Sequence, residues 1–248
     1  MSCAVFHSCL LILLLQVVSC KAPANVAYLQ NASSFVPERI GKPFRTEIQQ
    51  DDLLTIIVNS HDSELSKPFN IVADEHKTID YLVNSDGHIS FPVLGNIKAA
   101  GYTTAELSDT IQKRLVSEGY MQDPAVLVRL ANFKISVLGD VAKPGVYPVM
   151  GERVTLLEAL SMAGDLSIYG KRDKVLVIRE KDGARNMQYV NLQSTALFQS
   201  PYFYLQQNDV VYIEPNKAKA MQGDYNSRVL PLILSCVSIL TSIILLIL

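Results

Sequence analysis

One pattern occurs twice in this sequence: a short β-branched run, a glycine turn and a capped helix. The repetition limits the fold more than any other feature. In the first block, "TTAELSDTIQKRLVSEG", Thr103 and Glu106 stand at the Thr-x-x-Glu spacing of a capping box. Leu107, Ile111 and Leu115 share one helical face, and Gly119 suits the C-terminal stop. In the second block, "TLLEALSMAG", Thr155 and Glu158 repeat the box and Gly164 repeats the stop. One principal helix beside several short strands, twice over, predicts two small α+β domains.

The strands follow from period-two runs bounded by turn residues. "TEIQQDDLLTIIVNS" ends in a strand that acidic turn residues introduce. "IDYLVNSDGHISFPVLGNI" is expected to be a hairpin around Ser85, Asp86 and Gly87, with the glycine supplying positive φ. "PAVLVRLA" adds a strand. Beyond it, "FKISVLGDVAKPGVYPV" reads as two strands around Lys143, Pro144 and Gly145, and "DKVLVIREKDGARNMQYVNL" as a hairpin turning at Asp182 and Gly183. "QQDDLLTI" at Gln49 is echoed by "QQNDVVYI" at Gln206; we read two polar turns feeding strands rather than a duplication.

Both ends of the chain are apolar. Residues 1–19 read as a secretory signal with a short apolar core, although no Lys or Arg precedes that core. "VVSC" places Cys20 where a bacterial lipobox would have it, to become the lipidated first residue; an ordinary signal peptide with an incidental cysteine is the alternative. Residues 20–45 are expected to be a lipidated tether and residues 217–228 a linker. Fourteen of the twenty residues 229–248 are Leu, Ile or Val. A helix of that length spans roughly 30 Å, the hydrocarbon thickness of a bilayer, so one C-terminal transmembrane helix is expected, with a buried soluble-core helix as the alternative. Pro231, Ser235, Ser238, Thr241 and Ser242 fall within roughly a third of the helical wheel. Such a stripe serves helix association or faces a pore; a simple anchor does not need one.

Little in the sequence carries covalent chemistry. Net charge is −2, which gives no basis for nucleic-acid binding. His61, His76 and His88 lie at no metal-ligand spacing, and we expect no metal and no cofactor. "ADEH" at residues 73–76 reads as a solvated loop. No Gly-x-Ser-x-Gly is present, "GDVAKPG" lacks a phosphate-loop ending, and adjacent Asp51 and Asp52 make a poor acid/base pair. No catalytic residue is assigned and no enzyme is expected. The "NAS" sequon at Asn31 carries no weight in a bacterial lipoprotein.

These residues resemble the Wza-like polysaccharide export lipoproteins of the outer membrane. "DDLLTIIV", "YLVNSDGHISFPVLGNIKAAGYTTAELSDTIQKRL" and "DPAVLVRL" look like the family's export domain, placed at residues 46–131. "ISVLGDVAKPGVYPV" and "TLLEALSMAGDLS" look like its soluble-ligand-binding β-grasp (SLBB) domain, at residues 132–216. The order Gly139, Val141, Pro144, Gly145, Tyr147 is the fairly specific part. Pro144, Gly145 and Tyr147 are read as shaping the β-grasp turn rather than touching sugar. The resemblance implies a homo-oligomeric ring, octameric in the best-known members, through which capsular polysaccharide or exopolysaccharide passes. It also implies membrane lipid at Cys20, a helix barrel in the outer membrane, and an inner-membrane polysaccharide copolymerase as partner. The sequence departs from the prototype in showing one clear β-grasp copy and a more apolar final helix. An inner-membrane location therefore stays open, as does the alternative of a monomeric, membrane-anchored periplasmic lipoprotein that binds glycan or a partner.

Overall fold

The computed structural model describes residues 26–36, 45–74, 77–181, 183–223 and 225–247. The first domain runs β1 (Leu53–Asn59), β2 (Val72–Asp74), β3 (Lys77–Thr78), β4 (Asp80–Leu82), β5 (His88–Phe91), β6 (Gly95–Lys98), α1 (Thr104–Ser117) and β7 (Ala125–Leu130). β1 is the middle strand of a three-stranded sheet, antiparallel to β4 and to β7. Its alternation turns Leu54, Ile56 and Val58 into the core. The capping box forms at the start of α1: Glu106 N–H donates to Thr103 Oγ1 at 3.2 Å, and Thr103 N–H donates to Glu106 Oε2 at 2.9 Å. Leu107, Ile111 and Leu115 are fully buried in the same core, each contributing about 1.5–3 kcal/mol.

One expected hairpin is not a ladder. Gly87 does turn with φ +77°, yet β4 pairs with β1 and β5 pairs with β6. Asn84 fastens the turn through its side chain, whose Oδ1 accepts from Asp86 N–H at 3.0 Å and His88 N–H at 2.9 Å. The Gly87 carbonyl is taken by Ala99 and Ala100 beyond β6. Two backbone bonds also close the turn, Asn84 N–H to His88 O and Gly87 N–H to Asn84 O, both at 2.9 Å, but no strand ladder continues from them.

The second domain runs β8 (Lys134–Gly139), β9 (Gly145–Pro148), β10 (Val154–Thr155), α2 (Leu156–Met162), β11 (Gly170–Lys181), β12 (Ala184–Val190), β13 (Tyr204–Leu205) and β14 (Val210–Pro215). Its main sheet has the order β12-β11-β14-β8-β9; β14 and β8 are parallel and the other pairs antiparallel. Ile135, Val137, Val175, Val177, Val211 and Ile213 line one face, covered by Leu156, Ala159 and Leu160 of α2. Gly139, at φ +94°, lies where a Cβ would sit 2.0 Å from the Ile213 carbonyl oxygen, so β14 can pass this point only over a glycine. Two α+β domains are therefore present, as the sequence predicts.

The flanks hold more structure than a tether and a linker would. Residues 26–36 lie against the second domain. Leu29 N–H donates to Leu192 O at 3.0 Å, Gln30 N–H to Gln193 O at 2.7 Å, and Thr195 N–H to Asn31 Oδ1 at 2.8 Å. Phe35 meets Phe198 edge-on, and Arg172 lies over the Tyr28 ring at 5.5 Å. Beyond β14 come α3 (Lys217–Gly223) and α4 (Tyr225–Ile247). Within α4, Leu232, Ile233, Val237, Ile239, Leu240 and Ile243 are exposed. The expected C-terminal helix is present. Its expected membrane crossing is not shown, because among the described residues no helix is long and apolar enough to cross a membrane.

Candidate functional site

The two echoed turns share one backbone design. In residues 49–52 the Asp52 carboxylate accepts the Gln49 N–H at 2.8 Å, and Asp52 N–H reaches Gln49 O at 3.4 Å. In residues 206–209 the Asp209 carboxylate accepts the Gln206 N–H at 2.8 Å, and Asp209 N–H reaches Gln206 O at 3.1 Å. The third residue of each turn has positive φ: Asp51 at +65° and Asn208 at +64°. Asp and Asn are the side-chain-bearing residues that tolerate this region best. Each turn then launches a strand, β1 or β14.

The turns meet where the domains meet. Asn132, between the domains, accepts Leu53 N–H at Oδ1 (3.0 Å) and donates from Nδ2 to Asp51 O (3.2 Å). Gln207, which is buried, donates to Asn132 O at 2.8 Å and accepts Lys134 N–H at 2.8 Å. Its side-chain amide also contacts the Asp52 carboxylate. Burial pushes the Asp52 carboxyl up to about 6; the Gln49 N–H and the Gln207 amide oppose that rise, and the nearby Asp51 charge adds to it. Lys181 of β11 reaches Glu47 of the first domain at 2.8 Å, and Thr46 Oγ1 donates to Glu152 O at 2.7 Å.

A cleft of about 670 Å³ opens at this junction. Glu47, Gln49 and Asp51 line one side; Lys181, Arg185 and Asn208 line the other. The cations are already matched, Lys181 with Glu47 and Arg185 with Glu180. Among the described residues, the side chains of Gln49, Asp51 and Asn208 have no hydrogen-bond partner. The cleft thus presents amide donors and acceptors and a carboxylate, with little net charge to offer.

The residues singled out from sequence lie elsewhere. Tyr147 donates its hydroxyl to the Lys143 carbonyl across the β8–β9 turn, and its ring lies beside Gly145; neither they nor Pro144 line the cleft. Ser235, Ser238, Thr241 and Ser242 each donate to a carbonyl of their own helix, three or four residues back, at 2.8–2.9 Å. Cys20 and His76 lie outside the described residues, and among the described residues no group of His, Cys, Asp and Glu could hold a metal ion. Asp51 is exposed at the positive-φ position of its turn, whereas Asp52 is buried and accepts the Gln49 N–H, so the two adjacent carboxylates have different surroundings. Asp140, within "GDVAKPG", is a buried anchor: it accepts from Ser167 Oγ at 2.8 Å and pairs with Lys219 of α3.

Sequence reading missed Arg179. It is 8 % exposed, pairs with Asp209 through Nη2 at 2.7 Å, donates to Tyr204 O at 2.9 Å and lies 4.7 Å over the Tyr202 ring. The signal was available, since Arg179 keeps phase with buried Val175 and Val177 on β11. Gln207 and Asn132 gave no comparable signal.

Residues 42–131 match the family described as "Polysaccharide biosynthesis/export protein", and residues 133–213 match the SLBB domain. The chain carries the polysaccharide export domain followed directly by an SLBB domain. The EPS I polysaccharide export outer membrane protein EpsA of Ralstonia solanacearum is 30% identical over 169 residues, which is 62% of this chain and 42% of that protein. The protein of the same name from Ralstonia nicotianae is 36% identical over 90 residues, 35% of this chain and 23% of its own length. The exopolysaccharide production protein ExoF of Rhizobium meliloti is 33% identical over 89 residues, 35% of this chain and 21% of its own. The matches thus span less than half the length of each relative. The export domain contains the first of the two echoed turns and the SLBB domain contains the second.

Proposed function

We propose that this chain is the subunit of an outer-membrane conduit for capsular polysaccharide or exopolysaccharide. Cys20 carries lipid, α4 crosses the bilayer, and copies assemble into a ring that an inner-membrane copolymerase meets from below. The observation that carries this reading is the succession of an export domain and an SLBB domain, followed by an apolar helix of 23 residues. Such a helix is roughly 35 Å long, and fourteen of the twenty residues 229–248 are Leu, Ile or Val. Relatives named as export proteins of the outer membrane support the location.

The native mass of the detergent-purified full chain tests this, together with surface polymer on cells lacking the gene. A ring of identical subunits and loss of surface polymer are expected. A strictly monomeric particle from cells that keep their polymer would end the proposal.

One observation favours the second reading, a monomeric membrane-anchored lipoprotein that binds glycan or a partner. The α4 hydroxyls are satisfied within their own helix, so the stripe does not require a neighbour. Under the conduit reading these small residues act by letting helices approach closely. Bulky Ser238→Leu and Ser242→Leu changes separate the two, because they dissolve a packed ring and leave a lone anchor untouched.

A further inference from the structure

We infer that the cleft between the two echoed turns binds an uncharged polyhydroxylated ligand, a short stretch of saccharide, through Gln49, Asp51 and Asn208. The inference rests on the export reading only for the supply of saccharide; the lining itself selects the chemistry. At about 670 Å³ the cleft is the size of a small-molecule site. Its lining is amide and carboxylate, which does not suit an apolar ligand. A polyanion finds no spare cation there, because Lys181 and Arg185 are engaged by Glu47 and Glu180. Among the described residues the acids form no group able to hold a cation.

A polyol needs many directional hydrogen bonds of both kinds and no net charge. Planar amides and carboxylates meet paired hydroxyls with two oxygens or with one nitrogen and one oxygen. The left-handed conformation at Asp51 and Asn208 gives the two turns the same form, so one carboxylate and one amide flank a single opening. Because these side chains have no partner among the described residues, binding would break no hydrogen bond within the protein.

The test uses the full chain in detergent, titrated calorimetrically with maltohexaose, cellohexaose and mannohexaose, and with inositol hexakisphosphate as the polyanion. Saturable binding of at least one hexasaccharide is expected. The double variant Asp51→Gly, Asn208→Gly should weaken it roughly tenfold or more. Glycine removes both side chains without straining a positive-φ backbone, so the variant keeps its fold. Met150→Ala, at an exposed residue outside the cleft lining, should bind as the parent does. Three results would each overturn the inference: no saturable binding of any hexasaccharide, equal binding by the double variant, or preference for inositol hexakisphosphate. Native mass recorded on the same samples reports separately on the conduit, so a ring that binds no sugar defeats the cleft alone.

Discussion

The turns at residues 49–52 and 206–209 have nearly the same sequence and the same backbone, and both bury their last aspartate. They differ in what faces that carboxylate. Asp209 meets the Arg179 guanidinium, with both partners withdrawn from water. Asp52 meets only amides, from Gln49 and Gln207. Local sequence therefore dictates the turn, while the partner that arrives from elsewhere in the chain decides the electrostatics. Burial pushes both carboxyls up, but only Asp209 has a cation to oppose it. One turn is a locked structural joint; the other carries an uncompensated acid at the border between domains.

The largest effect expected is at the locked joint. Arg179→Met leaves Asp209 buried without its cation and should cost about 3–5 kcal/mol, read as a fall in the unfolding midpoint. Adding Asp209→Leu to it should recover much of the loss, since an apolar pair can replace a buried ion pair. Next is Gln207→Glu, which replaces a donor to Asn132 by an acceptor and sets a second carboxylate against Asp52. We expect a loss of about 2–3 kcal/mol at pH 7, smaller at pH 5.

Asp52→Asn tests the other turn directly. The folded carboxyl, at about 6, lies above its ordinary value, so the native state holds the proton more tightly than the unfolded chain does. The Asp52 contribution is fully present below the ordinary carboxylate range and is lost as pH rises through 6. Asparagine escapes that loss. It should gain on the order of 1–2 kcal/mol at pH 7 and nothing near pH 3.5, as a comparison of thermal midpoints at the two values would show. The smallest effect is at the positive-φ position: Asp51→Gly and Asn208→Gly should each change stability by less than about 0.5 kcal/mol. A large loss at either would mean that its side chain has structural work.

Much of this was legible in the sequence for local reasons. Both capping boxes form because Thr-x-x-Glu is satisfied within one turn of helix. Leu107, Ile111 and Leu115 are buried because helical spacing leaves them no other face. What escaped was decided at long range. The segment before Phe35 reads as polar and aperiodic, yet Leu29 and Gln30 bond to residues more than 160 positions away. The turn at Gly87 was visible, but the partner of β4 was not, because a three-residue strand carries too little pattern to specify its neighbour. In the candidate cleft, the sequence marks Asn208 only as a turn residue and Asp51 as a turn residue and half of a poor acid/base pair. That two distant turns would flank one opening depends on how the domains meet.

The docked segment at residues 26–36 has a mechanical consequence. Tyr28 donates to Asp165, and Asp165 O takes the Ala142 N–H; Lys219 grips Asp140, which also holds Ser167. The strap before the first domain and the helix after the second are thus fastened to the same pair of loops. Tension applied to either flank would enter at this single knot and pass to the other, while the first domain and the cleft beside it stay outside the line of force.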